Sequence, residues 1–179
     1  MKDAGDEQLM LAVGRGDAGA FSEIVHRHQR SAWSIAYRFV GHAADAEDIA
    51  QEAFLKILSA APRYQPSAVF STYLYRVVTR LCIDFYRKKR PIFTDTPPEM
   101  ADPAPDPAAA LARKDRETTI RRALDALPAR QRMAVILKYY EGLGYADIAT
   151  AMDITRKAVE RLLGRARKTL QSRLSNAKK

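Results

Sequence analysis

An all-α fold of two small helical domains is predicted by three observations on the 179-residue sequence. Apolar residues recur at three- and four-residue spacing along most of the chain, and strand-like alternation is absent. Glycine is sparse, so the periodic runs are seldom interrupted. Six of the nine prolines fall in "PIFTDTPPEMADPAPDP", Pro91 to Pro107, together with Asp95, Glu99, Asp102 and Asp106 and no basic residue. Such a stretch nucleates neither helix nor sheet and reads as an extended linker. The chain therefore divides into residues 1–92, a linker at 93–112, and residues 113–179.

In the first block, Asp6 and Asp17 stand where they can cap helices, with Gly14 and Gly16 as the break between them. "AFSEIVHRHQRSAWSIAYRFVG" sets Phe21, Ile24, Val25, His28, Ala32, Ile35 and Phe39 on one helical face. "DAEDIAQEAFLKIL" follows, with Ile49, Ala53, Phe54, Ile57 and Leu58 inward. "STYLYRVVTRLCIDFYRKKR" has a stripe of Leu74, Val77, Val78, Leu81 and Phe85, and Arg76, Arg80 and Arg87 share another side. Trp33 and Cys82 are expected in the core. His26, His28 and His42 read as surface or packing histidines, since metal ligation would need a fuller set.

The net charge of +9 points to an acidic partner, and nucleic acid is the commonest. The 47% hydrophobic content supports a core and argues against wholesale disorder. The N-terminus reads as neither signal peptide nor membrane span, so no membrane insertion is expected. One cysteine forbids an internal disulfide and fits a reducing cytoplasm. No phosphate-binding glycine loop or nucleophile motif is present, so no catalytic residue, cofactor or metal is expected.

The second block contains a helix-turn-helix pattern anchored on Asp153. Ala149 lies four residues earlier, where crossing helices leave room only for a small side chain. Ile148, Met152, Ile154, Val159 and Leu162 fall on positions that join the two helices. The turn needs a left-handed residue, which Gly provides most easily and Asp tolerates. Thr155 can cap the second helix. Arg156, Lys157, Glu160, Arg161 and Gly164 then face outward from its early turns, where a recognition helix meets base edges. Arg165 and Arg167 follow, suited to phosphates.

Two features of the first block go beyond a simple duplex reader. Asp45, Glu47, Asp48, Gln51 and Glu52 form a carboxylate-rich cluster, and Asp45, Asp48 and Glu52 share a face. A solvated face, a nuclease metal site and a dock for a basic protein surface all remain open from the residues alone. Secondly, Tyr64, Phe70, Tyr73, Tyr75, Phe85 and Tyr86 are interleaved with Arg63, Arg76, Arg80, Arg87, Lys88, Lys89 and Arg90. Aromatic faces stack on unpaired bases while cations follow the backbone, so the mixture suits single-stranded DNA. Phe70 and Phe85 are the aromatics assigned to the core.

In this order, and over nearly the whole chain, these segments resemble the bacterial extracytoplasmic-function (group IV) sigma factors, promoter-recognition subunits of RNA polymerase. "GDAGAFSEIVHRHQ" resembles the opening helix of region two, and "DAEDIAQEAFLKIL" its polymerase-binding segment. "FSTYLYRVVTRLCIDFYRKKR" is similar to the promoter-melting helix. "LDALPARQRMAVILKYYEGLGYADIATAMDITRKAVERLLGRARKTL" is similar to region four. The resemblance implies that Asp45, Glu47, Asp48, Gln51 and Glu52 contact core RNA polymerase. It implies minus-ten contacts from Tyr64, Gln65, Ser67, Tyr73, Arg76, Arg80, Arg87 and Lys88, with a flipped base held by the loop "YQPSAVF" and the helix after it. Minus-thirty-five contacts would come from Thr155, Arg156, Lys157, Glu160, Arg161, Arg165 and Arg167. It implies an anti-sigma factor partner, no catalysis by the chain itself, and a stress, envelope or metal-response regulon.

The sequence departs from the family pattern at reading positions. Tyr73 stands where Trp is usual, Arg80 where Asn is common, Asp153 for the turn Gly, Leu162 for a basic residue and Glu160 for a frequent Lys. Two rival readings are a stand-alone dimeric helix-turn-helix regulator and a metal-dependent nucleic-acid enzyme. The first leaves the carboxylate face and aromatic-basic helix unexplained; the second lacks a convergent ligand set.

Overall fold

The computed structural model describes residues 4–88 and 118–176; the predicted linker at 93–112, with Lys89 and Arg90, lies outside them. All regular structure among the described residues is helical. Four α-helices form the first half: α1 (Asp6–Gly14), α2 (Ala18–Val40), α3 (Ala43–Ala60) and α4 (Phe70–Lys88), with a 3-10 turn at Ala61–Arg63. The second half has α5 (described at 118–125), α6 (Ala129–Tyr139), α7 (Tyr145–Met152) and α8 (Arg156–Asn176).

Local chemistry sets the ends. Asp17 Oδ1 accepts the Ala20 N–H at 2.9 Å and caps α2. Gly41, at φ 81°, ends the same helix, its N–H donating to the Tyr37 carbonyl at 2.8 Å. The predicted cap at Asp6 is not formed. Gly5 is the N-cap of α1, and Asp6 instead accepts from Arg27 Nη1 at 3.0 Å and approaches His28 Nε2 at 2.7 Å. Two side chains on α2 thus take one carboxylate oxygen each and draw Asp6 away from its own helix.

The core runs through both halves. Ile24, Ile35, Phe39, Ile57, Phe70 and Leu74 are fully buried in the first, and Met133, Ile136, Leu137, Ile148 and Val159 in the second. Each such side chain contributes about 1.5–3 kcal/mol. Several positions predicted to face inward differ, Phe21, Val25 and Val77 being only half-buried. Leu58 is 40% exposed, because Ala46, Ile49, Ala53 and Ile57 already fill the inward stripe of α3. Phe85 is half-buried, and Trp33 is half-buried against Tyr37, rings parallel at 4.8 Å. Cys82 is fully buried, and burial pushes its thiol pKa well up. It should resist alkylation by iodoacetamide at pH 8 in the folded chain and react once denaturant is added; rapid native labelling would contradict this packing.

The halves pack together: α7 lies against α4, and α6 against α2 and α4. The seam is polar as well as apolar. Arg132, only 5% exposed, donates through Nη1 to the Phe39 carbonyl at 2.7 Å and through Nη2 to the Asp125 carbonyl at 2.8 Å. Arg121 Nη1 donates to the Tyr37 and Arg38 carbonyls at 2.9 and 3.1 Å. These carbonyls lie in the last turn of α2, at the negative end of its dipole, and that of Tyr37 accepts from Arg121 as well as from Gly41. Any Cβ at residue 41 would collide with the Arg121 guanidinium, a second reason for glycine there. Glu141 accepts from Ser31 at 3.1 Å and Tyr75 at 3.4 Å.

Candidate polymerase and nucleic-acid interfaces

The helix-turn-helix is formed by α7 and α8. Asp153 is left-handed (φ 53°, ψ 52°), the only non-glycine residue with positive φ among those described. The Ile154 N–H returns to the Ala149 carbonyl at 3.0 Å, closing the turn. Thr155 Oγ1 accepts the Ala158 N–H at 3.2 Å, as its capping role requires. Ile148, Met152 and Val159 are buried, while Ala149, Ile154 and Leu162 are half-buried. Ala151, Leu163 and Ala166 are also buried, and the last two continue Val159 at four- and seven-residue spacing, a signal the sequence reading missed.

The opposite face of α8 is exposed at Arg156, Lys157, Glu160, Arg161, Gly164, Arg165 and Arg167, with Thr155 exposed just before the helix. Arg156 Nε lies 3.6 Å from Glu160 Oε1, so part of its charge is matched within the face. Arg167 differs from the others: it borders the same groove as Tyr139 of α6, and interaction with the Tyr139 hydroxyl raises its pKa.

A second concave site of about 620 Å³ lies where α3, the 3-10 turn, the following loop and α4 meet. Of the residues anticipated for minus-ten contacts, Tyr64, Gln65, Ser67, Tyr73 and Arg76 line it together. Arg80, Arg87 and Lys88 do not; they are exposed farther along α4, with Arg87 paired to Asp84 at 3.1 Å. The Tyr64 and Tyr73 rings are 5.5 Å apart and tilted by 56°. Burial raises the pKa of both phenols, so both stay neutral at physiological pH. Lys56, Ser59 and Arg63 also line the pocket. Their three- and four-residue spacing was a legible signal, but Lys56 and Ser59 were not anticipated. Thr150 of α7 also lines it.

The other aromatics have different duties. Phe70 is buried, Tyr75 hydrogen-bonds Glu141 across the seam, and Tyr86 lies beside Phe39 and 5.5 Å from the Arg132 guanidinium.

The acidic cluster lies along α3. Asp45 is half-buried, 3.6 Å from His42 Nδ1; Glu47, Asp48, Gln51 and Glu52 are exposed. Gln51 donates to Glu47 at 3.4 Å, and Glu52 pairs with Lys56 at 3.3 Å. Leu55, 64% exposed, falls within the same face, and Leu58 stands beside it. A purely solvated face has no use for two exposed leucines, whereas an acidic rim around an apolar centre is the composition of a protein interface. Among the described residues, no group of three or more His, Cys, Asp and Glu is arranged to hold a metal ion.

The chain thus presents three distinct candidate surfaces on one helical fold, and the sequence comparisons show its class, a transcription-initiation factor. Residues 24–92 match Sigma-70 region 2, and residues 118–170 match Sigma-70 region 4. The RNA polymerase sigma-H factor of Pseudomonas aeruginosa is 33% identical, over 94% of this chain and 93% of its own. The ECF RNA polymerase sigma factor SigW of Bacillus subtilis is 31% identical, over 90% of this chain and 92% of its own. The sigma factor RpoE of Bartonella quintana, solved in complex with the anti-sigma factor NepR, shares the fold. Its TM-score is 0.68 at 20% identity, over 87% of this chain and 96% of that one.

The chain belongs to the extracytoplasmic-function sigma factors of RNA polymerase. It is a promoter-specificity factor that acts with core RNA polymerase in initiation. Among the described residues, no helix is long and apolar enough to cross a membrane.

Proposed function

We propose a residue-level division of labour. The α3 face of Glu47, Asp48, Gln51, Glu52 and Leu55, with Asp45 at its edge, docks on core polymerase. The pocket at residues 64–76 holds an unpaired minus-ten base, with Arg80, Arg87 and Lys88 following the strand along α4. The early turns of α8 read the minus-thirty-five element in the major groove. The chain works in the cytoplasm and supplies no catalytic group; the polymerase does the chemistry. It is held in check by an anti-sigma factor, a reading supported by the complex in which the Bartonella RpoE was solved. Residues 1–92 and 113–179 act as the two promoter-reading domains, joined by 93–112.

The observation that carries this reading is the pocket. Tyr64, Tyr73 and Arg76 converge there beside Arg63 and Lys56, giving stacking surface and positive charge in one cavity. Run-off transcription on genomic DNA with purified core polymerase tests it. Discrete promoter-specific transcripts are expected, and their loss on Tyr73→Ala with polymerase binding retained. Transcripts unaffected by Tyr73→Ala and Arg76→Ala would remove the pocket assignment.

The docking face gives a separate expectation. Asp48→Lys with Glu52→Lys should weaken core-polymerase binding while shifting stability by no more than about 0.5 kcal/mol, because both positions are exposed. Leu55→Asp should do the same, although it adds rather than removes negative charge. Competition for core polymerase against the wild-type chain measures this, and unchanged affinity in both the double reversal and Leu55→Asp would leave α3 a solvated face.

A further inference from the structure

Helix α1 lies before residue 24, where the match to region 2 begins, yet it is packed against both ends of the 64–69 loop. At the near end, Gly14 sits directly on the 3-10 turn. A Cβ there would stand 2.6 Å from the Ala61 carbonyl oxygen and 3.6 Å from Pro62 Cα. At the far end, Glu7 Oε1 accepts the backbone N–H of Phe70, the first residue of α4, at 3.0 Å.

The second contact is the more telling. The first four N–H groups of a helix have no partner within it. Those of Thr72 and Tyr73 turn back to the Val69 carbonyl, at 2.9 and 3.4 Å. That of Phe70 is met by a carboxylate 63 residues away in sequence. A negative charge at this end also favours the helix dipole. Glu7 is aimed by its neighbour: Asp6 is held by Arg27 and His28 of α2, and the His28 ring stands 5.0 Å from that of Phe70. Leu9, Met10 and Val13 bury the rest of α1. The Glu7 charge also adds, after burial, to the raised pKa of Tyr64.

We propose that Glu7 is a positioning residue for minus-ten recognition. By capping α4 from α1 it fixes where the 64–69 loop ends and where Tyr73, one turn into the helix, presents its ring. It touches no base itself. The inference rests on the reading of this pocket as the minus-ten site.

The test uses holoenzyme assembled from core polymerase and full-length chain. The probe is a fluorescent single-stranded oligonucleotide carrying the minus-ten element of the strongest promoter mapped by run-off. Glu7→Ala should weaken oligonucleotide binding about tenfold, the scale of a lost charge-assisted hydrogen bond. Glu7→Gln keeps a carbonyl acceptor and should restore most of the binding. Affinity for core polymerase and for minus-thirty-five duplex should stay within twofold of wild type in both variants. A role in folding alone would move all three affinities together, and that result, or failure of Glu7→Gln to restore binding, overturns the proposal. Tyr73→Ala and Arg76→Ala run alongside as controls. If they weaken binding and Glu7→Ala does not, the proposal falls alone. If neither they nor Glu7→Ala matter, the pocket reading falls and takes the proposal with it.

Discussion

Replacing Arg132 with alanine is expected to destabilise the chain by about 2–4 kcal/mol. The guanidinium is 5% exposed, and burial lowers its pKa, with Asp125 opposing that shift. It bridges two helix C-termini. The Phe39 carbonyl lies in the last turn of α2, and the Asp125 carbonyl is the last of the residues described in α5. Alanine would strand both carbonyls and leave a cavity beside the Phe39 and Tyr86 rings, each 5.5 Å from the charge.

Arg132→Lys keeps the charge but loses the planar fork that reaches both acceptors, so it should recover less than half of the loss. Arg132→Met is the sharper comparison. A buried charge carries a desolvation cost that a well-packed apolar side chain avoids. Methionine should therefore fall between wild type and alanine. Urea denaturation followed by circular dichroism gives the midpoints and slopes. A midpoint for Arg132→Ala equal to that of wild type would show that the seam contributes nothing to stability.

Arg132 also marks where sequence reading stops. In "ARQRMAVILKY" it looks like one more surface base at the start of a helix. Its burial depends on the carbonyl of Phe39, 93 residues away, and on α2 ending at Gly41. No local pattern encodes that meeting. The turn at Asp153 was legible because a left-handed residue followed by Thr155 is a local chemical demand, met within six residues.

The face of α3 shows an intermediate case. Leu58 was assigned inward because apolar residues are counted toward the core. At 100° per residue, however, it sits about 120° around the helix from Ala46, outside the stripe that Ile49, Ala53 and Ile57 define. Leu55 sits about 180° away, amid the acids. The same geometry separates the pocket lining from the aromatic-basic list. Tyr73 and Arg76 point toward the 64–69 loop, whereas Tyr75 turns to Glu141 of the other half. Composition gathered those side chains correctly as a group, but only the packing of α4 against its neighbours divides them.

Arg161→Ala and Lys157→Ala are expected to relax base preference at one or two minus-thirty-five positions. Both are exposed on the early turns of α8, and among the described residues neither has a carboxylate partner of the kind that pairs Arg156 to Glu160 at 3.6 Å. A bidentate arginine–guanine contact is worth about 1–3 kcal/mol of discrimination, so Arg161→Ala should lose roughly 5- to 150-fold in preference at its position. Arg156→Ala is a less clean probe, because it also releases Glu160 to repel the phosphates.

Arg165→Ala should act differently. It lies farther along the helix, where basic groups pass the backbone, so all sequences should weaken alike and the salt slope should fall by about 0.9. Arg167→Ala should show the same uniform loss. Tyr139→Phe, beside it along the groove between α6 and α8, removes no cation and should leave the salt slope unchanged. Binding-site selection on each variant, repeated at several salt concentrations, reads preference and slope together. If Arg165→Ala changes base preference and Arg161→Ala changes only the slope, α8 enters the groove in the opposite sense.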